Sequence, residues 1–249
     1  MMTSSTAPTS DFFKGQTALV TGGGSGIGRA IALELSRAGA EVCVTGRDEG
    51  KLASVQGVLK KEGRTSHTFS ADLSKSPDVS GLVQHVTDHM GALDILVHSA
   101  GLVTLGLIGE SSLEGFQEQL SVNLLGPYTL TKELLPLLQQ RKGQIVFINS
   151  SVIHNPGPAS GQYAASKHAL KGFADCLRAE VNSMGVRVLS VFPGRTATPA
   201  QERIFQGEGR PYQPDRLMQP EDVSNAIVNA LALPRTAELT DIQIRPMMK

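Results

Sequence analysis

Short apolar runs alternate along the chain with stretches whose apolar residues recur every three or four positions. Thr17-Ala18-Leu19-Val20-Thr21 reads as a buried strand. Beyond it Ile27, Ile31 and Leu35 lie four apart, the mark of a helix, and Gly39 stops it. Val42-Cys43-Val44-Thr45 predicts the next strand, and residues 49–62 the next helix. Residues 65–70 predict a weaker strand, Pro77 opens a helix to about His89, and residues 93–98 predict a strand with Asp94 near its start. Two helices are predicted at 112–125 and 127–140, a strand at 144–148, a long helix at 162–183 and a strand at 186–191. A helix at 221–232 and an edge strand at 239–244 complete the set.

Strands alternating with helices of about 10–15 residues predict an α/β fold, a doubly wound parallel sheet with helices on both faces. The crossovers should be right-handed. No internal repeat and no linker divides the chain, so one domain is expected over residues 14–249. The first thirteen residues, MMTSSTAPTSDFF, have no apolar core; they predict a disordered tail and no secretory signal. The long stretch 193–219 carries Pro199, Gly207, Gly209, Pro211 and Pro214 and is expected to be irregular. A loop of that length in a compact domain is usually functional, and a substrate lid is expected there.

Charge narrows the partners. Lys plus Arg is 23 and Asp plus Glu is 23, so the formal net charge is zero. Such a chain has no field to attract nucleic acid or an anionic membrane. Hydrophobic residues are 40% and charged residues 18%, a globular balance. No apolar run approaches the ~20 residues that span a bilayer. A cytoplasmic location is expected. Cys43 and Cys176 form no C-x-x-C pair and read as small core residues. No metal site is expected. His67, His85, His89, His154 and His168 show no ligand spacing shared with carboxylates, and His85 with His89 reads as a solvated helix face. His154 is a candidate for a substrate mouth. Arg195 and Arg203 flank the expected lid and read as solvated, or as contacts for an acidic substrate.

The chemistry begins at Thr21-Gly22-Gly23-Gly24-Ser25-Gly26-Ile27-Gly28, between the first strand and the first helix. Glycines there permit a tight turn, let backbone N–H groups approach a pyrophosphate and let the helix pack close to the sheet. A dinucleotide site that takes NAD usually has an acid at the end of the second strand. Here that position reads Gly46-Arg47, which leaves room and offers a guanidinium to a 2′-phosphate. NADP(H) is therefore preferred and NAD(H) possible, since Asp48 follows at once and can reach the ribose or pair with Arg47. Tyr163 and Lys167 stand at i and i+4 on one helix face. An ammonium beside a phenol would lower its pKa from about 10, which suits a tyrosine that exchanges protons. Ser150 ends the preceding strand, at the edge where parallel sheets place ligands.

With these residues in order, the chain resembles the short-chain dehydrogenase/reductase family, the single-domain Rossmann type, over roughly residues 14–235. The likeness adds Asp72 after the third strand, His98-Ser99-Ala100-Gly101 after the fourth, Asn123 and Pro193-Gly194. It implies that Tyr163 is the acid/base, that Ser150 orients the substrate oxygen, and that Lys167 binds the ribose and tunes Tyr163. It implies that Asn123 holds a relay water, that Asp72 accepts from the adenine amino group, and that Leu73 lies beside the ring. Gly22, Gly24, Ser25, Gly26, Ile27, Gly28 and Arg47 would bind the cofactor, with Ser99, Ala100 and Gly101 passing close to it. Pro193, Gly194, Thr196 and Thr198 would shape the nicotinamide pocket, Thr198 near the carboxamide.

The chain departs from the family pattern in three places. The family's Asn-Asn-Ala-Gly reads His98-Ser99-Ala100-Gly101, which loses a strand-bracing amide; His98 reads as its structural substitute. Ser151 competes with Ser150 for one role, and counting favours Ser150. The C-terminal residues 239–249 lack the glycine-rich segment of many relatives, which bears on the family's tetramer contacts; a homodimer or homotetramer is still expected. The expected activity is NADP(H)-dependent interconversion of a small-molecule carbonyl, a ketone or aldehyde, and an alcohol. A non-catalytic nucleotide-binding sensor or scaffold on the same fold is the alternative. An epimerase or dehydratase fits less well at this length.

Overall fold

The computed structural model describes residues 11–247. One sheet of seven parallel strands runs in the order β3-β2-β1-β4-β5-β6-β7. The strands are β1 Thr17–Thr21, β2 Glu41–Gly46, β3 Ser66–Ser70, β4 Ile95–His98, β5 Gln144–Ile148, β6 Arg187–Pro193 and β7 Asp241–Ile244. The order reverses between β1 and β4, where Thr21 pairs with His98. The loops after these two strands diverge and leave a crevice at the carboxyl edge of the sheet.

The five inner strands, β2, β1, β4, β5 and β6, feed two cores. Val20, Val42, Val44, Ile95, Val97 and Val146 face one layer, which holds Ile31 and Leu35 of α1 (Gly26–Arg37), Leu52 and Val55 of α2 (Glu49–Lys61), and Val223 and Ile227 of α8 (Pro220–Leu231). Leu19, Cys43, Leu96, Ile145 and Phe147 face the other layer. It holds Leu82 of α3 (Ser76–Met90), Leu130 and Leu134 of α5 (Gly126–Arg141), and Leu170 and Leu177 of α6 (Gly161–Val181). Burial on both faces is why these strands read as unbroken apolar runs. No helix among the described residues is long and apolar enough to cross a membrane.

The structure corrects the sequence reading in five places. Residues 1–10 of the expected tail lie outside the described residues. Phe13, however, is fully buried in the first core, and its N–H donates to the Ala38 carbonyl at 2.8 Å. Burying a phenylalanine contributes roughly 1.5–3 kcal/mol, so the fold takes in the end of the expected tail. The helices predicted at 112–125 and 127–140 are α4 (Leu113–Leu120) and α5, joined without a break by a π-helical turn, Ser121–Leu125. Pro127 has no N–H to give the α-helical bond to the Asn123 carbonyl, and the widened turn absorbs that loss.

The third correction is at the expected irregular stretch. It contains a helix, α7 (Pro199–Gly207), and a 3-10 turn, Pro214–Arg216. Thr198 caps α7 by accepting from Gln201 N at 3.2 Å, and Pro199 sits where its missing N–H costs nothing. Fourth, Cys176 is exposed, whereas Cys43 is buried and its thiol is pushed up to about 12. Fifth, His85 and His89 are not a bare solvated face. Their rings stack at 4.3 Å, and His67 on the edge strand β3 brings a third imidazole within 6.2 Å of both. His67 Nε2 pairs with Glu41 Oε1 at 2.6 Å, and no metal-holding group of three is formed among the described residues.

Candidate active site

The crevice is shaped first by close backbone approach. Thr21 Oγ1 accepts from Ser99 N at 3.0 Å and Ala100 N at 3.1 Å, tying the end of β1 to the loop after β4. Gly22 adopts φ +65°, and a Cβ there would lie 2.7 Å from the Ala100 backbone. A Cβ on Gly28 would lie 2.5 Å from the Gly22 carbonyl oxygen. Both positions therefore require glycine. Ser25 caps α1 in an extended conformation with no side-chain capping bond, and no acid stands in the first turn. The first N–H groups of α1 are left for an anion at the positive end of the helix.

At the end of β2 a Cβ on Gly46 would touch only Leu52 Cδ2, at 3.8 Å, so the space beside it is open. Arg47 is exposed, lines the cleft and has no hydrogen-bond or ion-pair partner among the described residues. Asp48 does not pair with it. Its Oδ1 caps α2 by accepting from Lys51 N at 3.0 Å, and its Oδ2 lies 3.2 Å from Lys51 Nζ. Across the cleft, Asp72 Oδ1 accepts from Ser74 N at 3.0 Å and Ser74 Oγ at 2.7 Å. Desolvation would raise the Asp72 carboxyl, but the Ser74 bonds and the nearby Arg47 and Lys75 outweigh it and hold the group below its ordinary value. Leu73 beside it is 7% exposed and lines the same wall.

The reactive groups meet where β5 ends. Asn149 Oδ1 accepts from Ser150 N at 2.9 Å, and its Nδ2 donates to the Lys167 carbonyl at 3.1 Å, which couples this strand end to α6. Ser150 Oγ accepts from Val152 N at 3.2 Å, and Ser150 borders the cleft beside Tyr163. Lys167 is 4% exposed; its Nζ donates to the Ile148 carbonyl at 2.9 Å and lies 6.0 Å from the Tyr163 ring centre. Burial pushes the ammonium down to about 8. Burial also raises the Tyr163 phenol, against the lowering effect of nearby Ser150. The expected depression of Tyr163 by Lys167 is therefore absent in this state. The ammonium is turned to a carbonyl, and desolvation dominates at the phenol.

Asn123 lies in the π turn and is 1% exposed. Its Oδ1 accepts from Leu102 N at 2.8 Å, while its Nδ2 donates to the Leu102 carbonyl at 2.8 Å and to Ser166 Oγ at 3.0 Å. Both Nδ2 hydrogens are used, while Oδ1 carries a single bond. A Cβ on Gly101 would lie 3.5 Å from Asn123 Oδ1 and 3.9 Å from Lys167 Nζ, so the three residues converge. One turn earlier, buried Gln119 repeats the clamp: its Oε1 accepts from Thr104 N at 3.2 Å and its Nε2 donates to the Thr104 carbonyl at 3.3 Å. Sequence reading missed Gln119; its i, i+4 spacing to Asn123 was the only available signal.

Gly22, Ser25, Gly28, Arg47, Asp72, Ser99, Ala100, Gly101, Ser150, Tyr163 and Lys167 line one cleft of about 920 Å³, while Asn123 and Gln119 stand behind its wall and do not border it. Gly24, Gly26, Ile27, Pro193, Gly194, Thr196 and Thr198 also border it. Thr198 Cγ2 lies 3.0 Å from the position of a Cβ on Gly26, so the start of α7 covers the glycine turn. Phe205 of α7 lies between the guanidinium groups of Arg195 and Arg210, at 4.9 and 5.0 Å, and both arginines pair with Glu208. Arg195 and Arg203 both border the cleft, Arg195 with its guanidinium paired to Glu208. His154 does not border it. Its ring meets Phe192 at 5.2 Å and its Nε2 contacts Gln243 Nε2 at 3.0 Å. His98 is buried against Phe147 and bonded to Thr131 Oγ1 at 2.8 Å, a brace between β4 and α5.

Comparison with known proteins gives the same architecture. The family model for short chain dehydrogenase matches residues 16–209. Glycine betaine reductase ATRR of Emericella nidulans is 33% identical over 238 residues, 93% of this chain, and the chain spans 19% of that longer protein. Sepiapterin reductase of Chlorobaculum tepidum is 31% identical over 236 residues, covering 92% of this chain and 95% of the relative. Among solved structures, a short chain dehydrogenase from Shigella flexneri 2a complexed with NADP superposes with a TM-score of 0.86. It is 30% identical, over 94% of this chain and 98% of that one.

Proposed function

The chain belongs to the short-chain dehydrogenase family of oxidoreductases, and from that premise we propose that it interconverts a carbonyl and an alcohol using NADP(H). The observation that carries the reading is the convergence of Ser150, Tyr163 and buried Lys167 on one edge of the cleft. A purely binding protein has no need of that set.

The residues present fit a dinucleotide. The open α1 N-terminus suits a pyrophosphate, and the bare Gly22 and Gly28 allow it to come close. Asp72 directs its Ser74 bonds to Oδ1, which leaves Oδ2 for an adenine amino group. Gly46 and Arg47 favour a 2′-phosphate, and the solved Shigella relative is complexed with NADP. NAD(H) fits the same cleft without the Arg47 contact.

When bound, the nicotinamide supplies or accepts the hydride. Ser150 Oγ and the Tyr163 hydroxyl hold the substrate oxygen. In reduction Tyr163 gives that oxygen its proton, and burial keeps the phenol protonated for the purpose. Lys167, beside Gly101 and Asn123, passes a proton back through a water on the Asn123 carbonyl, which Pro127 leaves without an α-helical donor. Leu102, Val103, Leu105, Val152 and Ile204 give the cleft an apolar wall, which suits an apolar substrate body. The molecule works as a homo-oligomer, a reading supported by exposed Leu125 and Tyr128.

A panel of ketones, aldehydes and alcohols with NADPH and NADP tests the reading. On a substrate so found, Tyr163→Phe lowers kcat by about 10²–10⁴-fold and leaves NADPH binding unchanged. Ser150→Ala costs more than Ser151→Ala. A Tyr163→Phe variant that keeps most of its activity overturns the assignment.

A further inference from the structure

We propose that Lys51 is a second cation of the cofactor's ribose-phosphate subsite, exchanging its ion pair with Asp48 for the 2′-phosphate of NADP(H). The inference rests on the NADP(H) reading above and assigns a residue that spacing from the glycine turn does not reach. Lys51 lies in the first turn of α2, and its Cβ is 3.1 Å from where a Cβ on Gly24 would stand. It borders the same end of the cleft as Gly24, Ser25, Gly46 and Arg47. Gly24 has no side chain, so the lysine stem lies directly along the glycine turn. The turn itself, Gly22 to Gly28, carries no cation.

Charge requires such a group. Arg47 is followed by Asp48, which also borders the cleft, so with Arg47 alone a dianionic phosphate would meet one cation and one carboxylate. Lys51 is the remaining cation bordering that end of the cleft, and it restores the balance. It is available. Both partners of its ion pair are more than half exposed, at 56% and 53%, and such pairs are weak. The capping bond of Asp48 runs from the Lys51 backbone N–H to Oδ1, not from the ammonium. The side chain can therefore leave Asp48 without uncapping α2, and a substitution at Lys51 keeps the cap.

Fluorescence titration with NADPH and NADH on the intact protein tests this without any knowledge of the substrate. Lys51→Met is expected to weaken NADPH roughly tenfold and to leave NADH nearly unchanged, and Lys51→Arg restores NADPH binding. The NADPH advantage of the wild type shrinks as KCl is raised. Lys51→Met that weakens both cofactors equally, or neither, overturns the inference. A wild type without preference for NADPH overturns the NADP(H) reading and this inference together. A preference that survives Lys51→Met but disappears in Arg47→Ala overturns this inference alone.

Discussion

Lys167 places a charge where its surroundings resist one. It is 4% exposed, and the Ile148 carbonyl at 2.9 Å is its one acceptor among the described residues. Burial lowers its pKa from 10.5 to about 8. In the unfolded chain the group stays protonated up to its ordinary value. Between pH 8 and 10.5 the unfolded chain therefore binds more protons, and stability rises with pH; below pH 8 the full cost of the buried charge is present. Lys167→Met should abolish turnover yet raise Tm at pH 7, by roughly 1–3 kcal/mol of stability, with the gain shrinking above pH 8. Thermal unfolding of both proteins from pH 7 to 10 checks this, and a variant less stable than wild type at pH 7 contradicts it. Tyr163, Lys167 and Ser150 were legible in sequence because their chemistry attaches to short, fixed spacings. Gln119 and Asn149 were not, because an amide that clamps a distant loop leaves no local pattern. The Asp48–Lys51 pair was hidden for a different reason: Arg47 stands next to Asp48 in sequence, but the first turn of α2 turns Lys51 back onto it.

Whole elements followed from period and punctuation wherever both faces of a strand or one face of a helix were apolar. The misreadings lie where proline carries two meanings. In sequence Pro127 reads as the start of a new helix, but it continues the old one through a π turn. In sequence Pro199 reads as part of an irregular stretch, but with Thr198 it starts α7. In both places the position of proline within the first turn decides the outcome. His98 joins two elements and yields a prediction at this scale. It is buried between β4 and α5, with Nε2 on Thr131 and the ring stacked on Phe147 at 4.9 Å. Burial depresses it from 6.5 to about 3. The folded protein keeps it neutral while the unfolded chain protonates below 6.5, so stability drains as pH falls from 6.5 toward 3. His98→Asn removes that titration and also the ring packing. It should lower Tm at pH 7 but flatten the decline between pH 6.5 and 4. Urea unfolding across that range checks the slope, and parallel curves for the two proteins contradict the assignment.

At the scale of the molecule, the parallel sheet with helices on both faces was legible because alternating strand and helix patterns admit few topologies. Which outer surface is left apolar was not, since exposure depends on how α5 and α6 lie together. Leu125 is 54% exposed and Tyr128 50%, three residues apart on the π turn and the start of α5. The Tyr128 ring meets Phe173 of α6 at 5.5 Å, so the patch runs across both helices. A second copy of this chain is the occupant that suits it, because a net charge of zero gives two copies no repulsive field. Light scattering should therefore report a mass of at least twice 26.4 kDa. Leu125→Glu with Tyr128→Glu should return the mass to that of one chain. The consequence reaches the site, because Leu125 stands two residues beyond Asn123 in the turn that clamps Leu102. Contact with a second copy would brace that turn from outside. The monomeric variant should keep its NADPH affinity, since the glycine turn and the end of β2 lie elsewhere, and lose turnover out of proportion to its loss of Tm. A wild type that is monomeric at micromolar concentration, or a monomeric variant with undiminished kcat, contradicts this coupling.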